Sequence, residues 1–143
     1  MRLARLVIQW AKTCHPNHMN QKLTVFAKCN TPLEHDRPRP DRLENGNPLR
    51  STWNHYEHHG VSAGVWACEP GAWRIAFAPG KDEFFHVLEG RIQITNAQGQ
   101  AEQFGPGDAG VIPAEFTGVF EVLEPVRKHY VIVDRAAMQA VGQ

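Results

Sequence analysis

The segment DEFFHVLEGRIQI, residues 82–94, carries the pattern from which we predict the fold. It begins with the mostly apolar run EFFHVLE, and after it Ile92 and Ile94 alternate with polar residues, which is typical of strands with one buried face. Gly90 separates two such runs, so we predict one strand before it and another after it. Because side chains alternate along a strand, Glu83 shares a face with Phe85, whereas His86 belongs to the opposite face. An acidic side chain is therefore expected among apolar ones.

A similar pattern of short apolar runs continues over most of the chain. Short runs rich in Val, Ile, Phe and Trp recur from residue 51 onward, and each is closed by Gly or Pro, as in a sandwich or small barrel. We therefore predict an all-β domain over residues 51–135, with Pro125 between two of its strands. Residues 136–143 form a C-terminal tail, and only RAAMQAV near the end has a helical pattern.

The first 50 residues differ in composition from the barrel region. Residues 31–50 are rich in Pro, Asn and charged residues and are predicted to be an extended arm or linker. Residues 1–33 contain five Lys or Arg and no Asp or Glu. We interpret residues 1–30 as an N-terminal extension, either disordered or upstream of a true start at Met19. A targeting segment and a surface helix are the alternatives.

Composition limits the classes of partner and compartment. A chain of 143 residues, 42% of them hydrophobic, is sufficient for one domain with a core. Fifteen basic residues balance fifteen acidic ones, which favours neither nucleic acid nor an anionic membrane as partner. No apolar run approaches the roughly 18 residues needed to cross a bilayer. The three cysteines show no paired spacing, so we expect no disulfide framework and a cytoplasmic location.

Several motifs resemble the cupin superfamily, whose members fold as a double-stranded β-helix, or jelly-roll barrel. Gly71, Glu83 and Gly90 match the first cupin motif with the correct spacing, and Gly107 and Pro113 match part of the second. The blocks TWNHYE, DEFFHVLEGRI and FGPGDAGVIPAEFTG look like single-domain cupins related to ureidoglycine aminohydrolase and to the ethanolamine-utilisation Q protein. The resemblance covers roughly residues 50–133 and implies a cupin barrel with an extended N-terminal arm.

The resemblance also implies where a metal site would lie. Most cupin enzymes hold a transition metal with three histidines and a glutamate. Here the histidine positions fall on Phe77, Pro79 and Gly118, and only Glu83 remains. One carboxylate does not hold such a metal, so we expect no cofactor. A divalent metal held by a surrogate set stays an open alternative; its candidate ligands are Glu83, His55, His86 and His129.

Three explanations for Glu83 stay open. It closes the barrel mouth by pairing with Arg74, Arg127 or Lys128; it acts as a general acid or base tuned by apolar neighbours; or it accepts a donor group of a ligand. Lys81 is interpreted as part of a solvated turn, with a pocket rim as the alternative. The candidate pocket residues are Trp53, Trp73, Arg74, Phe77, Phe85 and Lys128.

These observations predict a single-domain cupin that handles a small polar metabolite of unknown identity without the usual metal site. The alternatives are a non-catalytic binding or accessory module, and a metal cupin with surrogate ligands resembling ureidoglycine aminohydrolase. We also expect a homodimer, in which residues 31–50 add to a partner's sheet.

Overall fold

The computed structural model describes residues 22–141, so the expectations for residues 1–21, including the start at Met19, lie outside the described residues. The described part is a curled antiparallel sheet followed by one helix, which confirms the all-β prediction. The strands are β1 (Glu34–Asp36), β2 (Leu43–Asn45), β3 (Arg50–His58), β4 (Val61–Cys68), β5 (Gly71–Ala76), β6 (Lys81–Asn96), β7 (Ala101–Phe104), β8 (Ala109–Ile112) and β9 (Thr117–Asp134).

Strands β6 and β9 are the longest and organise the sheet. They pair with each other from Lys81–Asp134 at one end to Asn96–Gly118 at the other. The second half of β9 also pairs with β4, and its first half pairs with β5. Strand β6 takes β8 and β7 on its other edge. The remaining strands join this central pair through neighbours: β2 through β5, β3 through β4, and β1 through β3 and β4.

The prediction of separate strands on either side of Gly90 and of Pro125 is wrong. Each residue lies inside one long strand, and the β6–β9 register shifts where the two approach each other. Gly90 has a φ of 82°, and a Cβ there would come within 2.1 Å of the Pro125 carbonyl oxygen. Only glycine tolerates both conditions. The Gly and Pro therefore bend the paired strands without ending them.

The predicted arm is mostly extended and lies on its own barrel. Its strand β1 pairs with β3 and its strand β2 pairs with β5, both within the same chain. Between them lies a short 3-10 helix, Pro40–Arg42. In this structure the arm adds to the sheet of its own chain, whereas we had expected it to add to a partner's sheet. The homodimer itself stays a prediction.

A short helix follows the last strand. Helix α1 (Arg135–Val141) confirms the helical pattern of RAAMQAV, and it begins within the segment assigned to the barrel. Asp134 precedes it, and its side chain accepts hydrogen bonds from the backbone N–H groups of Ala136 and Ala137 at 3.1 and 3.3 Å. This is an ordinary N-terminal cap. None of the helices within residues 22–141 has the length and apolar character required to cross a membrane.

The apolar core lies between the inner faces of the curled sheet. Its fully buried side chains include Phe85, Val87, Ile92 and Val122. The face predicted to be buried on residues 82–94 is therefore confirmed, and Phe84 on the other face is 45% exposed. Toward the end of the barrel formed by β1, β3 and β5, the core opens into a cavity.

Candidate functional site

Glu83 and Lys128 form an ion pair inside the barrel. Lys128 Nζ donates to Glu83 Oε2 at 2.7 Å, and the two side chains are 5% and 13% exposed. Both face inward, because Glu83 shares its face with Phe85, and Lys128 shares its face with Tyr130. Of the three basic residues proposed as partners of Glu83, Lys128 is the one that forms the pair.

Aromatic rings surround the Lys128 ammonium. Its Nζ lies 4.7 Å from the ring centre of Trp66 and 5.1 Å from those of Phe85 and Phe120. Ring faces attract a cation that has left water, so these contacts and the carboxylate together offset part of the cost of burying the charge. The three rings fix the ammonium at one place on the cavity wall.

The pair lines a cavity of about 480 Å³, a volume suited to a small molecule. Of the predicted pocket residues, Trp73, Phe77 and Lys128 line it, together with the catalytic candidate Glu83. The full lining is Glu34, Asp36, Arg50, Thr52, Asn54, Ser62, Trp66, Trp73, Ile75, Phe77, Lys81, Glu83, Ile112, Phe120, Lys128, Tyr130 and Ile132. The cavity therefore combines aromatic and aliphatic walls with a few polar groups.

The pair has unused hydrogen-bonding capacity that faces this cavity. Among residues 22–141, Glu83 is the only protein acceptor for the three N–H groups of Lys128. The second carboxylate oxygen of Glu83, Oε1, has no protein donor within the same residues and is not fully enclosed. A molecule in the cavity therefore meets hydrogen-bond donors and an acceptor side by side.

A second polar group stands next to the pair. Tyr130 Oη donates to Asn54 Oδ1 at 2.8 Å. Burial, helped by the negative charge of Glu83, raises the pKa of Tyr130 to about 12. Tyr130 is thus a neutral hydroxyl at physiological pH. At the mouth, Arg50 makes a two-point ion pair with Asp36, with N–O distances of 2.8 and 2.5 Å.

The surrogate metal ligands are not brought together. His86 and His129 are paired residues on the outer face, whereas Glu83 points into the barrel. His55 is also outside, where Phe26 packs against its ring at 4.8 Å and against the His129 ring at 5.6 Å. The strand alternation that placed Glu83 and His86 on opposite faces is confirmed, and a bulge does not change it at these positions.

The outer histidines influence one another electrostatically. Burial lowers the pKa of His129, and the nearby His86, Arg127 and His55 lower it further, because each disfavours a positive charge there. Thr31 Oγ1 and His55 Nδ1 are hydrogen-bonded at 2.7 Å, which ties the segment before β1 to this face. This outer cluster is separate from the cavity.

Three other predicted residues lie away from the cavity wall. Trp53 is on the outer face with the Arg127 guanidinium 5.1 Å from its ring centre, and it does not line the cavity. Arg74 pairs with Glu44 at 3.3 Å outside the main cavity. Phe85 is buried in the core and contacts the site through Lys128. The face on which each residue lies is set by the pairing of its strand with neighbouring strands, and this pairing cannot be deduced from the residue's own segment.

Sequence reasoning missed most of the polar wall. Arg50, Thr52 and Asn54 alternate with Ser51 and Trp53, and this period of two places all three on the inner face. The alternation is visible in RSTWN, but the segment itself does not show which of its two faces points into the barrel. Asp36 and Glu34 arrive through the β1–β3 pairing, which the sequence pattern did not predict.

The comparisons with known proteins identify the fold family. A model of the EutQ-like cupin domain matches residues 57–130, which is just over half of the chain. The chain belongs to this cupin family. Its barrel is accordingly a cupin jelly roll, as the resemblance of the motifs implied. No curated protein matches the chain.

Solved structures agree on the cupin fold. A protein of unknown function from Pseudomonas syringae pv. tomato, of the DUF861 family, superimposes with a TM-score of 0.64 at 20% identity over 73% of this chain. The chain spans only 45% of that protein's length. The EutQ protein of Clostridium difficile gives a TM-score of 0.57 at 18% identity, covering 75% of this chain and 97% of its own. A putative EutQ from Salmonella typhimurium gives 0.53 at 17% identity, covering 73% and 98%. These likenesses show the fold.

The donor set at the cupin metal position does not fit a transition metal. Glu83 is engaged by an ammonium, and Phe77 offers no lone pair. At Gly118 an added Cβ would come within 2.0 Å of the Thr95 carbonyl oxygen, so no side chain fits there without backbone movement. Within residues 22–141, no three His, Cys, Asp or Glu side chains are grouped to hold an ion. The Lys128 ammonium supplies positive charge beside the family's glutamate.

Proposed function

We propose that this cupin binds a small polar metabolite in the barrel cavity and that Glu83 and Lys128 receive its polar group. The observation that carries the proposal is the buried ion pair, which faces a cavity of about 480 Å³ with unused donors and an unused acceptor. A buried ion pair contributes little net stability compared with an apolar pair of the same size, so a role in binding explains its presence better than stability does.

The chemistry of the wall favours one kind of ligand group. A carbonyl oxygen accepts from Lys128 while a neighbouring N–H or O–H donates to Glu83 Oε1. Trp73, Phe77 and Phe120 offer apolar surface to the remainder of the molecule. The resemblance to ureidoglycine aminohydrolase is a further reason to begin a screen with small nitrogen-containing metabolites.

The test is a thermal-shift screen of small polar metabolites, followed by calorimetry on the compounds that raise the melting temperature. Glu83→Gln and Lys128→Met are each expected to weaken binding by about tenfold or more, the usual loss for a hydrogen bond to a charged group. The double variant Glu83→Gln/Lys128→Met keeps the interior neutral and serves if a single variant does not fold. Two exposed residues supply the controls, Glu89→Gln and Lys28→Met.

Three results would each count against the proposal. The first is equal affinity of the bound compound for the wild type and the paired-site variants. The second is a wild-type protein that no metabolite of this size stabilises. Equal loss in the control variants would show a non-specific charge effect and would also count against it.

A second candidate is acid–base catalysis at the same place. It is favoured by the contact of a carboxylate and an ammonium at 2.7 Å beside the cavity, which is an arrangement able to accept and return a proton. Glu83→Gln is then expected to abolish conversion of the bound compound and leave its binding measurable. Unchanged turnover in this variant would remove Glu83 from the chemistry.

The absence of a resident metal stays a prediction and has its own test. Untagged protein purified without chelator is expected to contain no stoichiometric Mn, Fe, Ni or Zn by elemental analysis, and Glu83→Ala is expected to match it. A metal present in the wild type and lost in Glu83→Ala would contradict the ion-pair account of the site. Light scattering over a range of concentrations tests the proposed homodimer.

A further inference from the structure

A second cavity of about 360 Å³ opens beside the first, at the free edge of β5. It lies next to the 3-10 helix Pro40–Arg42, beyond the point where β2 stops pairing with β5 at Trp73. The two cavities share five lining residues, namely Arg50, Trp73, Ile75, Phe77 and Lys81. We call the second cavity the annex; the shared residues show that it adjoins the barrel cavity.

The annex is lined by cations and by apolar residues. Its charged side chains are Arg39, Arg42, Arg50, Arg74 and Lys81, and no acidic side chain of residues 22–141 lines it. Because the whole chain has as many acidic as basic residues, this concentration is local. Cations that converge on a concave surface raise its potential, and the surrounding low-dielectric protein focuses that potential on the opening.

Only part of this charge is neutralised. Arg39 pairs with Asp41 at 3.0 Å, Arg50 with Asp36, and Arg74 with Glu44. None of these three carboxylates, among the described residues, lines the annex, whereas Asp36 lines the adjoining barrel cavity.

The remaining two cations have no carboxylate partner among residues 22–141. Within the part of the chain that the structure describes, Arg42 and Lys81 form no ion pair. Both are half-buried, which limits the water that reaches them. An anion between these two side chains would relieve their repulsion and gain charge-assisted hydrogen bonds.

Lys81 stands at the junction of the two cavities. Its Nζ lies 5.9 Å from the ring centre of Phe77, and both residues line both cavities. The earlier interpretation of Lys81 as part of a solvated turn is therefore replaced by the alternative of a pocket rim.

We propose that the annex is an anion-binding subsite and that the metabolite of the barrel cavity carries a carboxylate or phosphate group that binds there. The inference rests on the proposed function for the other end of the ligand. It narrows the ligand to a molecule with a neutral polar group at Glu83 and Lys128 and an anionic group near Arg42 and Lys81. Arginine suits either anion, because its planar fork matches carboxylate and phosphate oxygens alike.

The experiment titrates inorganic phosphate and, separately, acetate into labelled protein at constant ionic strength, and follows the arginine side-chain N–H signals by NMR. We expect saturable shifts at Arg42 and Arg74 with at least one of the two anions. The anion that binds more tightly identifies the carboxylate or the phosphate as the ligand's group. No saturable shift with either anion would overturn the proposal.

A matched pair of variants tests the location. Arg42→Gln/Lys81→Gln is expected to weaken anion binding about tenfold or more. Arg127→Gln/Lys28→Gln removes the same charge from exposed positions away from the annex and is expected to bind as the wild type does. Equal weakening in both double variants would show general charge attraction and would overturn the subsite.

The proposals for the annex and for the barrel site can be overturned independently of each other. Glu83→Gln/Lys128→Met is expected to lose the metabolite and keep the anion. Phosphate or acetate that binds the annex when no metabolite binds the barrel would support the subsite and overturn the proposed function. A further comparison measures the affinity of a bound metabolite acid and of its neutral amide. Equal affinities, together with no competition from phosphate or acetate, would overturn the subsite. The proposed function would then still stand.

Discussion

The inner and outer faces of β6 and β9 each carry a pair of ionisable side chains. Inside, Glu83 and Lys128 have opposite charges, lie 2.7 Å apart and are almost fully buried. Outside, His86 and His129 are of one kind, have ring centres 6.4 Å apart and are partly exposed. The inner pair joins opposite charges that attract each other, whereas outside, burial and the nearby His86 lower the pKa of His129.

The comparison teaches how one strand pair supports two kinds of chemistry. Burial without a partner would neutralise either inner group, so the inner charges depend on each other and on the rings around Lys128. The outer pair differs, because burial and the neighbouring His86 and Arg127 lower the pKa of His129 and favour its neutral form, which needs no charged partner. The inner charges depend strongly on each other, so we expect mutation of one of them to reduce stability greatly. The outer histidines depend on each other weakly, so we expect them to have a small effect that varies with pH.

Loss of Lys128 is expected to have the largest effect on stability. Lys128→Met leaves Glu83 buried without its cation, so we expect the free energy of unfolding to fall by about 3–5 kcal/mol. Urea denaturation measures the change. The exposed Lys28→Met is the control and is expected to change stability by less than about 0.5 kcal/mol.

The double variant Glu83→Leu/Lys128→Met sharpens the same comparison. Two apolar side chains remove the charge and its partner together, so most of the loss in Lys128→Met is expected to be recovered. A double-mutant cycle would then give a large coupling energy. Strictly additive losses would mean that the two inner charges do not depend on each other.

Cys68 tests whether the inner face excludes water along its length. It lies on the inner face of β4, and burial raises the pKa of its thiol to about 12. Since the thiolate is the reactive form, alkylation by iodoacetamide at pH 8 is expected to be about a hundredfold or more slower at Cys68 than at the half-buried Cys29. Mass spectrometry measures both rates. Similar rates in the native protein, rather than only in urea, would contradict a closed inner face.

The outer histidines are expected to produce a small dependence of stability on pH. The pKa of His129 lies below its usual 6.5 in the folded state, so the unfolded chain binds a proton first as the pH falls. This contribution to stability is complete above about pH 6.5 and is lost as the pH falls through the lowered pKa. Melting temperatures of the wild type and His129→Gln between pH 7 and pH 5 should therefore converge.

The exposed His58→Gln is the control for this pH series. It is expected to keep the wild-type slope of melting temperature against pH. A slope that His129→Gln leaves unchanged would assign the pH dependence to other groups.

Local alternation predicted the inner face of β6 correctly, and it also separated Glu83 from His86. It did not assign Trp53, because RSTWN alternates equally well in either orientation and only pairing with β4 decides between them. Gly90 and Pro125 are residue types that are common in turns, yet they lie close to each other within a continuous strand pair. Local residues therefore predict the period of a strand more reliably than its ends.

The candidate site was predictable only in part, for the same reason. Glu83 stood out because a recognisable motif contains it, and Lys128 was one of three possible partners. The annex was not predicted, because Arg39, Arg42 and Arg74 come together only when β2 pairs with β5. Such contacts between distant segments carry no signal in the composition of either segment.

The central position of β9 has a consequence for synthesis of the protein. This strand is the last in the described chain, and it pairs with β4, β5 and β6, which the ribosome makes earlier. Until residues 117–134 emerge, those three strands lack a neighbour, and Glu83 and Trp66 have no ammonium to contact. Barrel folding must therefore follow translation of nearly all of the described chain, and nascent chains that stop before β9 expose unpaired strands to chaperones and to aggregation.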